Sequence, residues 1–170
     1  MRTPTLAVAL LCCACPLRPG VDAGSGEPPA AKESPMKEAP PTPEGLEVTL
    51  VAGAAPAAGQ PVTLRLRVKN PTGAPLRFCT YHTLFEGLRN DILDVRRPDG
   101  SKLPYRGMMA KRAPPGPKDF LTVPPGGEAL SEAVDVSEGY PFSAGAYSVV
   151  FTGSDISGLP ASAALSLDLQ

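Results

Sequence analysis

The sequence predicts an all-β protein, an antiparallel β-sandwich of about eight or nine strands, and three observations carry that expectation. Residues 61–69 alternate without a fault: Val62, Leu64, Leu66 and Val68 face one way, Thr63, Arg65, Arg67 and Lys69 the other. That is the pattern of a strand with one dry and one wet face. Glycine (17) and proline (22) together make up nearly a quarter of the 170 residues, which suits short strands joined by turns. No segment carries a capped helical period of useful length.

Taken in order, residues 1–15, MRTPTLAVALLCCAC, read as a signal peptide of lipoprotein type. Arg2 supplies the positive start, and the apolar run from Leu6 to Ala14 is shorter than the roughly 20 residues a membrane span needs. Three of the four cysteines crowd its end. Ala14-Cys15 has the small residue that precedes an acylated cysteine, and Leu10-Leu11-Cys12-Cys13 has the leucine, so Cys15 and Cys13 both stand as lipidation sites. Ordinary signal cleavage is the alternative. Residues 16–44 are rich in Pro, Ala and Gly and poor in large apolar side chains, which predicts a disordered tether.

Residues 45–170 are the predicted sandwich. Leu46, Val48 and Leu50 share a face, and residues 61–69 follow the turn-rich stretch Gly53 to Gly59. Asn70-Pro71-Thr72-Gly73 is a turn, Pro75 to Tyr81 a third strand, and His82 to Asn90 a crossing segment. Ile92 to Arg97 and Lys102 to Arg106 are expected to form a hairpin about Pro98-Asp99-Gly100-Ser101. Met108 to Lys118 is a loop, because Arg-Ala-Pro-Pro-Gly-Pro interrupts any regular structure. Strands are expected over Phe120 to Val123, Ala129 to Val136, and a run from Gly145 with Tyr147, Val149 and Phe151 inward. A last one spans Ala161 to Leu169, with Ala163, Leu165, Leu167 and Leu169 on one face. Two antiparallel sheets around one core follow.

A formal net charge of −1 excludes a basic nucleic-acid binder, since no surplus of cations is available to neutralise phosphates. With one cysteine beyond the leader, Cys79, residues 45–170 have no pair for a disulfide and must rely on the core.

The candidate sites are few. Cys79-x-x-His82, with Met108 and Met109 to soften it, suggests a copper site, but a strand cysteine and a histidine past its end need not converge. A Cys79 nucleophile with His82 as base lacks an evident third group and oxyanion site. Glu86, Asp91 and Asp94 match no calcium-loop spacing and read as a solvated, partly arginine-paired rim. No metal, cofactor or catalytic residue is therefore expected. The strongest candidate is a partner contact: Arg106, Lys111 and Arg112 bracket Met108 and Met109, giving two apolar side chains within a basic rim. Tyr147, in a Gly-x-Tyr at the start of a late strand, resembles a tyrosine corner.

Specific pieces of the chain carry a resemblance. These are Pro61-Val-Thr-Leu, Asn70-Pro-Thr-Gly-Ala-Pro-Leu, His82-Thr-Leu-Phe-Glu-Gly-Leu, Asp91-Ile-Leu-Asp-Val, Leu103-Pro-Tyr-Arg-Gly, Ala110-Lys-Arg, Pro125-Gly-Gly and Gly145-Ala-Tyr-Ser-Val. In this order, from Glu44 to Gly153, they resemble the immunoglobulin-like N-terminal domain that precedes the catalytic domain in bacterial members of the deuterolysin and peptidyl-Lys metalloendopeptidase family. The resemblance implies an immunoglobulin-like sandwich. The family's activity needs a zinc-binding His-Glu-x-x-His helix, which a sequence whose single histidine is His82 does not contain. The expectation is an exported, lipid-anchored, non-catalytic domain of the cell envelope that binds another protein, with a metalloendopeptidase of that family as the implied partner. It would meet the membrane through the N-terminal lipid alone. A protease inhibitor acting through loop 108–118, loosely similar to small bacterial proteinase inhibitors of sandwich fold, and a passive structural envelope lipoprotein are the alternatives.

Overall fold

The computed structural model describes residues 44–53 and 59–170. The expected signal peptide, Cys13 and Cys15 within it, and all of the tether but Glu44 lie outside the described residues. Nine strands are present among those described: β1 (Glu47–Ala52), β2 (Thr63–Lys69), β3 (Leu76–Cys79), β4 (Leu93–Arg96), β5 (Phe120–Val123), β6 (Glu128–Leu130), β7 (Val134–Asp135), β8 (Gly145–Phe151) and β9 (Leu165–Leu169). Every ladder is antiparallel. The strands form three hydrogen-bonded groups rather than the two sheets expected: β2 pairs with β1, β6 and β7; β3 pairs with β5; and β8 lies between β4 and β9.

One core joins the groups into a β-sandwich. Leu46, Val48 and Leu50, then Val62, Leu64, Leu66 and Val68, point inward as their period-2 spacing dictates, and they meet Leu93, Val95, Tyr147, Val149, Phe151, Leu167 and Leu169. Each such side chain contributes about 1.5–3 kcal/mol on burial. Asn70 closes one end. It is buried in the Asn-Pro-Thr-Gly turn, where its Nδ2 donates to the Ala74 (2.8 Å) and Val123 (3.0 Å) carbonyls and its Oδ1 accepts from Thr72 N–H (3.0 Å) and Oγ1 (2.7 Å). Its own N–H reaches the Gly127 carbonyl at 2.9 Å, so the turn between β2 and β3 is tied to that between β5 and β6.

Four strand expectations are corrected, each for a backbone reason. The strand expected from Pro75 to Tyr81 is β3 alone: Thr80 N–H turns to the Asp119 carbonyl (2.8 Å), and His82 adopts a left-handed φ of 57°. The Pro98-Asp99-Gly100-Ser101 turn forms, with Gly100 at φ 82° and Asp99 Oδ1 accepting Ser101 N–H at 2.8 Å. The returning strand does not. After the Leu103 N–H bond to Val95 O (2.8 Å), Pro104 has no donor to offer, and the Arg106 N–H goes to Gly139 O instead (2.8 Å). The long strand expected over Ala129 to Val136 is split into β6 and β7, and the last strand begins at Leu165, leaving Ala163 exposed.

The last two interruptions share one device. Ser131 N–H donates to Leu66 O while its Oγ accepts Leu66 N–H, both at 2.9 Å, and the hydroxyl donates onward to Glu132 O. Ser162 does the same with Phe151, donating onward to Ala163 O. The hydroxyl stands in for a backbone carbonyl, so one extra residue is accommodated without a lost bond. Three steps along β2, Arg67 to Leu64, face four on its partner, Leu130 to Val134. Each serine thus marks a one-residue bulge.

Tyr140, fully buried, joins the segment before β8 to β4. Its hydroxyl donates to Asp91 Oδ1 at 2.7 Å, with Leu93 O at 3.0 Å as a second acceptor, and accepts Leu93 N–H at 3.1 Å. Its ring belongs to an aromatic chain running Tyr147, Phe142, Tyr140, Tyr105, with centroid spacings of 5.1, 6.5 and 5.2 Å. Burial, with Asp91 as acceptor, pushes the Tyr140 hydroxyl far above its ordinary value of 10.0.

Two predictions follow from these contacts. Ser131→Ala leaves the Leu66 N–H without a partner in the core and is expected to cost about 1–3 kcal/mol, read as a lower urea midpoint with an unchanged slope. A tyrosine whose folded pKa is raised contributes stability that is complete below the unfolded value and is lost as pH rises beyond it. Stability is therefore expected to fall above about pH 10, by up to ~1.4 kcal/mol per pH unit through Tyr140. Tyr140→Phe, weaker at neutral pH, should show a shallower alkaline decline in a pH series of denaturation midpoints.

Candidate functional site

The crossing segment after β3 builds the support for the site. Thr83 caps a 3-10 turn over Leu84–Glu86: its Oγ1 accepts Phe85 N–H at 3.1 Å and donates to Thr80 O at 2.6 Å. Leu84 is buried in the core, and the Phe85 ring meets Phe78 edge-on at 5.1 Å. Gly87, at φ 80°, ends the turn where a side chain would be strained. This arrangement fixes Glu86. Its Oε1 accepts His82 N–H at 2.9 Å, and its Oε2 is paired with Arg112 Nη2. The Arg112 guanidinium also lies over the Tyr81 ring, 5.2 Å from its centre. The Glu86 side chain is only 9% exposed, and the Arg112 cation offsets the cost of burying its carboxylate.

A second support comes from Leu103-Pro-Tyr-Arg-Gly. The Tyr105 ring packs against Tyr140 at a tilt of 55°, and its hydroxyl donates to Met108 O at 2.7 Å. Two glycines make room for it. A Cβ on Gly107 would sit 2.5 Å from the Tyr105 hydroxyl, and one on Gly139 would sit 2.6 Å from its ring.

Between these supports the chain from Met108 to Gly116 is free of regular structure. It is fastened at three points. Met108 O is held by Tyr105, Ala110 N–H donates to Arg89 O at 2.9 Å, and the Arg112 side chain is held by Glu86 and Tyr81. The backbone groups of Met109, Lys111 and Arg112 make no hydrogen bond within the described residues. At the far end Gly116 N–H donates to Asp119 Oδ2 at 2.8 Å, and Asp119 O receives Thr80 N–H. The loop is thus pinned along its length.

Met108 and Met109 are 57% and 68% exposed. Arg106 and Lys111 are exposed beside them and form no ion pair among the described residues. Arg89 adds a third cation, with Nη1 4.0 Å from Met108 Sδ. Of the five contact residues read from the sequence, Arg106, Met108, Met109 and Lys111 therefore present their side chains to solvent, while Arg112 has its guanidinium turned to the scaffold.

The other candidates are placed apart. Cys79 is fully buried and unpaired, and burial pushes its thiol above the ordinary 9.0, which makes the reactive thiolate scarce. Asp91 is taken by Tyr140 and Lys102, Asp94 by Arg96 and Glu86 by Arg112. Among the described residues no three of His, Cys, Asp and Glu converge as metal ligands would. An open hollow of about 580 Å³ is lined by Glu44, Leu46, Ser154, Asp155 and Leu159, among others. No helix among the described residues is long and apolar enough to cross a membrane. The Tyr147 hydroxyl is tied to the Ser143 backbone, accepting its N–H and reaching its carbonyl, each at 3.0 Å, as the Gly-x-Tyr reading anticipates.

Sequence reasoning missed the Glu86–Arg112 latch and the Tyr105 pin. A signal for the first was present: Thr83-x-x-Glu86 has the spacing of a helix-capping pair. No protein-family model matches the chain, and no curated protein matches it.

Tyr105→Phe keeps the ring and removes the bond to Met108. It is expected to cost about 1 kcal/mol or less in global stability. Amide exchange at Ala110 should meanwhile accelerate well beyond what that global loss accounts for.

Proposed function

We propose that the chain is an exported, lipid-anchored, non-catalytic binding domain of immunoglobulin-like type, and that it captures another protein through the loop face formed by Arg106, Met108, Met109 and Lys111. One observation carries this reading: two adjacent methionines are held out in solvent on a backbone pinned from both sides. Folding has already ordered the loop, so a partner meets little further entropic cost. Methionine adapts its shape to an apolar notch, and the flanking cations call for an acidic rim around that notch. Arg112 contributes from beneath by holding the backbone. The tie from Tyr147 to Ser143 supports the immunoglobulin-like assignment. The buried thiol of Cys79 and the dispersed carboxylates favour binding over catalysis. The partner this reading favours is a secreted metalloendopeptidase of the family that the sequence resembles.

Capture experiments test it. The full chain should retain a metalloendopeptidase or an envelope protein from an extract of its source, and Met108→Ser with Met109→Ser should weaken that capture by ~10-fold or more. Equal capture by both forms overturns the assignment of the face. Mass spectrometry of the processed chain should find an acylated N-terminal cysteine at Cys15 or Cys13. An unmodified N-terminus overturns the anchor.

A further inference from the structure

We propose that the chain pairs with a second copy of itself through the free edge of β5, so that the β3–β5 ribbons of the two copies join into one antiparallel sheet. The hydrogen-bond phase of β5 carries the inference. Thr80 N–H donates to Asp119 O at 2.8 Å, one step beyond the Cys79–Phe120 pair, and Cys79 N–H turns the other way to Ser157 O at 3.0 Å. Engaged pairs alternate along an antiparallel ladder. Leu121 and Val123 therefore bond to β3 across from Phe78 and Leu76, while the N–H and C=O of Phe120 and Thr122 point away from it. Among the described residues no strand pairs with β5 on that side, and neither residue has another backbone partner. Phe120 is already extended, at φ −112° and ψ 136°.

The residues of the edge point to the occupant. Free edges commonly carry charges that discourage pairing. β1, β6 and β9 each hold a carboxylate, at Glu47, Glu128 and Asp168, whereas Phe120-Leu-Thr-Val has no charged residue. Leu121, at its centre, is apolar and 37% exposed. The edge is complementary to itself. A two-fold axis through Leu121 pairs Phe120 of each copy with Thr122 of the other, so all the free backbone groups of both residues are satisfied together. The two Leu121 side chains then meet at a pair that shares no hydrogen bond, with Cα atoms about 4.5 Å apart, where cross-strand contact is closest. Asp119 falls opposite Val123 and Lys118 opposite Pro124, so no like charges confront each other across the seam. A two-stranded ribbon is marginal by itself, and the pairing doubles its strands. Each copy keeps its own Met108 and Met109 face, so the pair holds a partner bivalently.

The test is the oligomeric state of the full chain, read by sedimentation equilibrium over a concentration series with detergent micelles in excess. The wild-type chain should form a dimer. Thr122→Pro removes an N–H that β3 does not use, and Leu121→Lys sets two ammonium groups face to face. Each should raise the dimer dissociation constant ~10-fold or more while the chain keeps a cooperative urea transition. Leu121→Cys should oxidise to a disulfide joining position 121 of both copies, identified by mass spectrometry of the cross-linked peptide, because the expected spacing lies within disulfide reach. A wild-type chain that stays monomeric at its highest soluble concentration, or a dimer that neither substitution weakens, overturns the proposal. If the chain is monomeric and Thr122→Pro instead lowers capture of its partner, the edge belongs to a strand of that partner and the second copy is excluded. The dimer is read with no partner present, so its failure leaves capture through Met108 and Met109 standing, and loss of that capture leaves the dimer standing.

Discussion

The hydroxyl of Tyr140 is the joint on which the rest of the structure depends. A phenol in the middle of an apolar core must find partners or lose several kilocalories of hydration. It finds them in both backbone groups of Leu93 and in the Asp91 carboxylate, which fixes the start of β4 against the segment leading into β8. From that joint the aromatic chain runs two ways: through Phe142 to the Tyr147 tie on Ser143, and through Tyr105 to the carbonyl of Met108. The exposed loop is therefore an extension of the core.

The sandwich also settles its backbone accounts with side chains where strand pairing fails. Asn70 serves four groups at one end, and Ser131 and Ser162 each lend an oxygen to a neighbouring strand. A buried N–H left alone would cost more than the hydrogen bond that replaces it. Small polar residues at these positions let short, interrupted strands enclose a continuous core without a disulfide among the described residues.

Where burial sets the pattern, the fold is legible in the sequence. Val62 to Val68 and Tyr147 to Phe151 alternate because one face is dry, and Phe120–Val123 ends where two prolines follow. Where a side chain replaces a backbone partner, periodicity is silent. Ser131 sits in an alternating run and breaks it, and Pro104 ends a strand that its neighbours would have continued. The loop's composition marks two methionines set among cations, yet nothing in Arg106 to Arg112 says which cation is spoken for. Glu86 decides that from 26 residues away. Such a pairing becomes visible only once the 3-10 turn has aimed the carboxylate.

The division of labour in the loop has an evolutionary consequence. Its fastenings are the main-chain atoms of Met108 and Ala110 and the side chain of Arg112, so the side chains at 109 and 111 carry no structural duty. Selection can alter both without retuning the scaffold, because main-chain bonds are indifferent to residue identity. A lineage bearing this domain would follow a changing partner by substitutions along the exposed tip, while Tyr105, Gly107, Glu86 and Gly139 stay constant beneath it. Diversity confined to the tip over an invariant base is the trace that such pursuit would leave among descendants.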